Sequence, residues 1–233
     1  MTPIESHMMQ SIVGSLVHCL YTRDDARKEI VYMSTKQINP TKGDYYKAVH
    51  IARYLYSTCN DGPTYHTNTG PYLTGQSDAS PNAHINAEAQ LAVILSIGKD
   101  NAPVNSKARF EPGKPDQNVM AAEYHALFLG VNMAHDAVTI LNHSGFPQNE
   151  PIVFQIDSQT CIDLANAEHI PQKSKHINLK HHVIRDKVQS KFITLLKTKS
   201  EHMRVDLLTK YYSKTKFSVA KDLLLNTFAL TDI

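Results

Sequence analysis

The chain has 233 residues, 42% hydrophobic and 20% charged, the composition of a folded globular protein and not of a disordered tail. Nine Gly and eleven Pro exclude a collagen-like or linker-dominated chain, and no apolar run approaches the roughly 20 residues a membrane helix needs, so no membrane partner is expected. The net charge of +2 is unevenly spread: residues 1–70 carry 7 Lys/Arg against 6 Asp/Glu, residues 71–165 carry 4 against 10, and residues 166–233 carry 13 against 6.

An acidic middle beside a basic final third suggests carboxylates gathered for a cation and a positive surface for a polyanion. Cys19, Cys59 and Cys161 are odd in number, far apart and without a CxxC pair, which points to reduced thiols and not to zinc. The start, MTPIESHMMQ, lacks the basic cap and apolar stretch of a secretory signal. An intracellular protein is expected, not a secreted one.

In chain order, the first seventy residues read as helical. Gln10–Tyr21 sets Ile12, Leu16, Cys19 and Leu20 on one side. A charged patch from Arg23 to Glu29 precedes Ile30–Met33 and the breaker Asn39-Pro40-Thr41. Asp44 then opens an amphipathic helix carrying Tyr45, Val49, Ala52 and Tyr56. NDGPTYHTNTGP (60–71) has linker composition, dividing the chain into a helical unit, 1–70, and a second unit, 71–233.

Beyond the linker, Tyr72–Ser77, Ala89–Ile97 and Pro103–Phe110 read as strands, and Asn118 caps a long helix running to about Leu141. Ile152–Ile156 reads as a buried strand and Ser158 to about Ala167 as a helix. Ile177–Ser190 reads as helix, Phe192–Lys197 as strand and His202–Tyr211 as a last helix. The result is a mixed α/β (α+β) layer.

Four acids stand where a metal site can be assembled: Asp78 after the first strand, Glu123 early in the long helix, Asp157 after the buried strand, and Asp206 at the start of the last helix. Converging carboxylates ~4 Å apart repel by about 4 kcal/mol per pair at an effective dielectric near 20, so such a cluster needs cations. Oxygen ligands suit Mg²⁺ or Mn²⁺, and two such ions can activate a water and stabilise the leaving oxygen of a phosphodiester. Singly, each acid also suits a turn former or helix cap.

Seven ordered blocks carry a resemblance: SIVGSLVHCLYTRDDA (11–26), MSTKQINPTKGDYYKAVHIARYLYST (33–58), SDAS (77–80), AAEYHAL (121–127), DSQTCIDLA (157–165), SKHINLKHHVIRDKV (174–188) and VDLLTK (205–210). They are similar, in order, to segments of the copia-type retrotransposon Pol polyprotein, at the end of its reverse transcriptase and through its ribonuclease H domain. The last two blocks are the most specific.

The resemblance implies a ribonuclease H-like five-stranded mixed sheet flanked by helices, preceded by a helical remnant of the reverse transcriptase thumb or connection. It implies a D-E-D-D catalytic and metal site of Asp78, Glu123, Asp157 and Asp206, with two Mg²⁺ or Mn²⁺ ions. The implied reaction is hydrolysis of the RNA strand of an RNA–DNA hybrid, leaving a 3′-hydroxyl and a 5′-phosphate. The implied setting is the cytoplasm, within a virus-like particle, or the nucleus. Further partners are a reverse transcriptase chain or other proteins of the element.

Lys173, Lys175, Lys180, Arg185, Lys187 and Lys191 are candidates for phosphate contacts by counterion release, or else form an exposed helix face with partners such as Asp186. His176, His181 and His182 are too sparse a set for a transition-metal site. His202 is the nearest candidate for the family's product-release histidine. Tyr21-Thr22-Arg23-Asp24-Asp25 superficially resembles a polymerase metal motif, but it matches the family's TRPD turn, so no polymerase activity is expected.

The chain also departs from the family. SPNAHINAEAQ follows where an Asp-Trp pair is usual, EPGKPDQNVM replaces SSTE, and there is no Trp. These departures flank Asp78 and Glu123. The alternative reading is a catalytically weak or inactive nucleic-acid-binding or interaction fragment.

Overall fold

The structure is a computed structural model and describes residues 1–66, 70–80, 89–98, 101–111, 119–167 and 178–227, with backbone alone at 178, 179 and 181. Lys173, Lys175, His176, the cap residue Asn118 and the side chain of His181 lie outside the described residues.

Helix α1 spans Pro3–Cys19 and so starts seven residues before the apolar stripe suggests. Thr2 and Glu5 form a reciprocal capping box with Pro3 at the first position, which satisfies orphan amides in a polar first turn that hydrophobic spacing does not reveal. Helix α3, Lys42–Ser57, uses the same device, Thr41 with Asp44. Between them lies α2, Arg27–Thr35, after a short 3-10 turn at Asp24–Ala26. Met9, Val13, Ile30, Met33 and Ala48 close the core of this three-helix unit.

The charged patch is largely interior, with Arg23, Asp25 and Lys28 buried. Arg23 donates to both oxygens of Asp25 at 2.9 and 2.8 Å and to the Thr58 carbonyl, and the Tyr54 hydroxyl donates to Asp25. Asp24 takes Arg27 and, across to the sheet, Ser106. Both aspartates of the pseudo-polymerase motif are thus held by neighbours.

Among the described residues five strands form one sheet: β1 (Leu73–Ser80), β2 (Ala89–Ile97), β3 (Pro103–Glu111), β4 (Ile152–Ile156) and β5 (Ile193–Lys197). The order is β3-β2-β1-β4-β5, with β1, β2 and β3 antiparallel and β1, β4 and β5 parallel. This is the mixed five-stranded, helix-flanked sheet that the resemblance implies. β2 is a near-continuous apolar run because both its faces are covered.

On one face α4 (Val119–His143) crosses β1 and β2, beside α5 (Gln159–Asn166) and α6 (Asn178–Gln189). A Cβ at Gly75 of β1 would stand 2.5 Å, and one at Gly130 of α4 2.7 Å, from the Phe154 ring, so both glycines are needed for helix and sheet to close over that ring. On the other face Ala92 and Ile94 meet Val205, Leu207 and Leu208, together with Leu224 of α7 (Lys214–Leu225).

Two segments depart from the sequence expectation. Residues 202–211 are not an α-helix but two 3-10 stretches, Ser200–His202 and Arg204–Leu208, and the last helix is α7, further along. Tertiary partners win over helical spacing: the Val205 N–H goes to Gln76, and the Arg204 guanidinium to the Asn101 carbonyl and Ser96 Oγ. The second departure concerns Asp78, which lies inside β1; the strand runs on through Ala79↔Leu91 and Ser80↔Gln90. Among the described residues no helix is long and apolar enough to cross a membrane.

Candidate active site

Asp78 and Asp157 meet through strand register. β1 and β4 pair in parallel as Thr74↔Val153, Gly75↔Phe154 and Gln76↔Gln155, and continuing by two residues sets Asp157 beside Asp78. Asp78 is 1% exposed and pairs with Ala92 of β2, whose side chain faces the Arg204–Leu208 turn. Asp157 follows β4 directly, and Ser158 then caps α5 by accepting from the Cys161 amide. Ser200 Oγ donates to Asp157 Oδ2 at 3.0 Å.

The turn brings the third acid. Gln76, buried on β1 two residues before Asp78, accepts from the Val205 amide at 3.2 Å and donates to Gln155 Oε1 at 2.5 Å. That bond seats Asp206, 4% exposed, over the end of the sheet, and the same turn sends the Thr209 hydroxyl to Asp78 Oδ2. One oxygen from each of Asp78, Asp157 and Asp206 lies within 4.8 Å of the other two.

Glu123 is outside that trio but adjoins it. It sits on the buried side of α4, 6% exposed, near the Ala79 amide, and it feels the charges of both Asp78 and Asp157. Ala122 and Ala126 on either side pack on Ala79, and their small side chains let the helix approach β1.

Lys210 completes the arrangement. Its Nζ stands 2.6 Å from Asp206 Oδ2, 3.7 Å from Asp78 Oδ1 and 3.8 Å from Asp157 Oδ2. One ammonium does not balance four acids. Burial, then the Asp78 charge, pushes the Asp206 carboxyl up to about 7. Burial, then the charges of Asp78 and Asp157, raises Glu123 well above the carboxylate range, and burial raises Asp78 against the pull of Lys210. Burial lowers Lys210, but Asp78 and Asp206 outweigh it and raise that ammonium overall.

The donor set is all oxygen, and two of its atoms are orphaned. Among the described residues Asp206 Oδ1 and Glu123 Oε2 are buried with no hydrogen-bond partner. A buried carboxylate oxygen without a partner is costly, and a hard divalent cation is the ligand that such oxygens suit. The four acids therefore fit a divalent metal.

The described members of the basic row, Lys180, Arg185, Lys187 and Lys191, do not lie along one edge of this centre. Lys180, at the start of α6, is 3.4 Å from Glu111, which also binds His125 of α4 at 2.5 Å. Arg185 is half-buried beside His182. Lys187 sits over the Phe192 ring and, with Lys191, lines a cleft by the first residues of β4 and β5. The acids stand at the other end of those strands. His202 is exposed, ends the Ser200–His202 stretch, and has Nε2 3.6 Å from Glu201.

Sequence reading passes over Lys210, Thr209, Ser200 and Gln76. The spacing of four between Asp206 and Lys210 was the one available signal. The other three act through register and turn geometry.

No family model matches the sequence. The chain is 26% identical over 215 residues to the retrovirus-related Pol polyprotein from transposon TNT 1-94 of Nicotiana tabacum, covering 91% of this chain and 16% of that one. It is 25% identical over 218 residues to the corresponding polyprotein from transposon RE1 of Arabidopsis thaliana, covering 89% of this chain and 14% of that one. Among solved structures, LC11-RNase H1, isolated from compost by a metagenomic approach, is similar with a TM-score of 0.45 and 11% identity over 60% of this chain and 93% of that one. By sequence, then, the chain is similar to the Pol polyproteins of copia-type transposons, and it spans a small part of their length.

Proposed function

We propose that this chain is a metal-dependent ribonuclease H that hydrolyses the RNA strand of an RNA–DNA hybrid. The observation that carries the reading is the convergence of Asp78, Asp157 and Asp206 to within 4.8 Å, with Glu123 beside them. The relation to transposon Pol polyproteins supports it. Within this reading residues 1–70 and 71–233 are two units, and the first lends no polymerase chemistry.

Asp78, Asp157, Asp206 and Glu123 would hold two Mg²⁺ or Mn²⁺ ions. Bound there, such ions supply the Lewis acidity that readies a water for attack on a phosphodiester and stabilises the departing oxygen. The chain's own task is placement. Thr209 and Ser200 orient the carboxylates of Asp78 and Asp157, and Gln76 fixes the turn bearing Asp206. Water adds to phosphorus and the P–O3′ bond breaks, leaving a 3′-hydroxyl and a 5′-phosphate. Lys180 and Arg185 are candidates for phosphate contact on the site side of α6, with Lys187 and Lys191 reaching a more distant stretch of duplex, and His202 is a candidate for product release.

The test is incubation of labelled RNA–DNA hybrid with the protein and Mg²⁺, beside Asp157→Asn. Cleavage by the wild type alone is the expected result. Salt-sensitive hybrid binding with no cleavage by either protein would favour the binding-only alternative.

A further inference from the structure

Lys210 Nζ reaches three carboxylates at once, at 2.6, 3.7 and 3.8 Å. Mg²⁺ takes carboxylate oxygens at about 2.0–2.1 Å, so an ion among these oxygens and this ammonium compete for one space. We propose, resting on the metal-dependent reading above, that Lys210 is a built-in counter-cation: it holds Asp78, Asp157 and Asp206 together in the metal-free protein and swings out when a divalent cation enters. The affinity of the site for metal is then set by the displacement of Lys210.

Three features of the surroundings fit a displaceable ammonium. The Lys210 side chain is 36% exposed while those of Asp78, Asp206 and Asp157 are 1%, 6% and 19% exposed, so the lysine has a wider path to water than any acid it holds. Asp78 and Asp157 keep their second holds, Thr209 and Ser200, once Lys210 leaves. The next residue is pinned: Lys28 Nζ lies 3.0 Å from the centre of the Tyr211 ring, which ties the backbone after Lys210 to α2 and confines the swing to the lysine side chain. A four-carbon stem with three rotatable donors suits such a swing, and the planar guanidinium of an arginine would not.

The experiment uses the full chain with Mn²⁺ as the probe. In the wild type, reductive methylation followed by peptide mass spectrometry reads the accessibility of Lys210. Labelling of Lys210 is expected to rise several-fold on Mn²⁺ addition, with Lys191 as an exposed internal reference. Unchanged or reduced labelling while Mn²⁺ binds by electron paramagnetic resonance would overturn the proposal and leave the metal site standing. In parallel, Lys210→Met is expected to bind Mn²⁺ on the order of tenfold more tightly than the wild type and to melt at a lower temperature in EDTA, a deficit that Mn²⁺ restores. Equal affinity and equal metal-free melting would also overturn it. Should neither protein bind Mn²⁺, the metal-dependent function falls too, an outcome distinct from failure of the lysine's role alone.

Discussion

Gln76 Oε1 accepts a hydrogen bond from the Val205 amide at 3.2 Å, joining the strand that bears Asp78 to the turn that bears Asp206. With the Thr209 hydroxyl on Asp78, this buried amide links two acids 128 positions apart in the chain. Gln76→Ala leaves the Val205 N–H buried and unpaired, which costs about 1–3 kcal/mol. Urea unfolding is expected to show that loss, together with weaker Mn²⁺ binding. Unchanged stability and unchanged binding would show that the turn is held elsewhere.

Metal uptake is expected to depend on pH. Asp206 has its carboxyl raised to about 7 by burial and the Asp78 charge, so below that pH a proton competes with the cation. Its folded value lies above the unfolded one, so without metal its protonated form favours folding and stability falls as pH rises towards 7. With metal the sign reverses: apparent Mn²⁺ affinity climbs from pH 6 to 8. Isothermal titration across that range, in buffers of different ionisation enthalpy, reads both the affinity and the protons released.

Glu111 behaves in the opposite way. The His125 hydrogen bond, then the charges of His125, Lys180 and Arg109, hold its carboxyl down at about 2 against burial. The folded value is depressed, so its contribution is present above about 4.5 and is lost as pH falls towards 2. Glu111→Gln is expected to cost roughly 1–3 kcal/mol at pH 7, scaled down for partial exposure. The difference should vanish near pH 2 in denaturant titrations at several pH values.

Lys28 is 4% exposed, and its Nζ has no hydrogen-bond partner among the described residues, only the Tyr211 ring. Burial lowers its pKa to about 8. Between about 8 and 10.5 the unfolded chain keeps a proton that the folded chain sheds, so stability rises with pH across that window. Lys28→Met is expected to raise stability at pH 7 by about 1–2 kcal/mol, burial cost outweighing the ring contact, and to flatten the alkaline climb. A lower melting temperature for the variant at pH 7 would show that the ring contact dominates.

Much of the sheet is legible in the sequence because its strands are chemically distinct. Ala89–Ile97 is apolar throughout since both faces are covered, and Ile152–Ile156 ends at an acid followed by a capping serine. The acids themselves are legible only as a set within ordered blocks. The turn at Arg204–Leu208 is not, because Val205, Leu207 and Leu208 are spaced as in a helix while Gln76, Asn101 and Ser96, distant in sequence, take the polar groups around them. Ahead of helix α2 the charges pair internally, Arg23 with Asp25 and Arg27 with Asp24, and Asp24 docks the helical unit on Ser106 of the sheet, contacts that spacing along the chain does not reveal. Helix α7 escapes the sequence reading, which ends at Tyr211, although Phe217, Ala220 and Leu224 stand at helical spacing. Lys210 escapes because its importance lies in the three carboxylates it meets, only one of which is local.

The most direct measurement is a Mn²⁺ titration followed by electron paramagnetic resonance, comparing the wild type with Asp78→Asn and Asp157→Asn, each confirmed as folded by circular dichroism. Saturable binding in the wild type, weakened on the order of a hundredfold or more in both variants, is expected from carboxylates that ligate together. Binding that survives either substitution undiminished would contradict a shared centre at the end of β1 and β4.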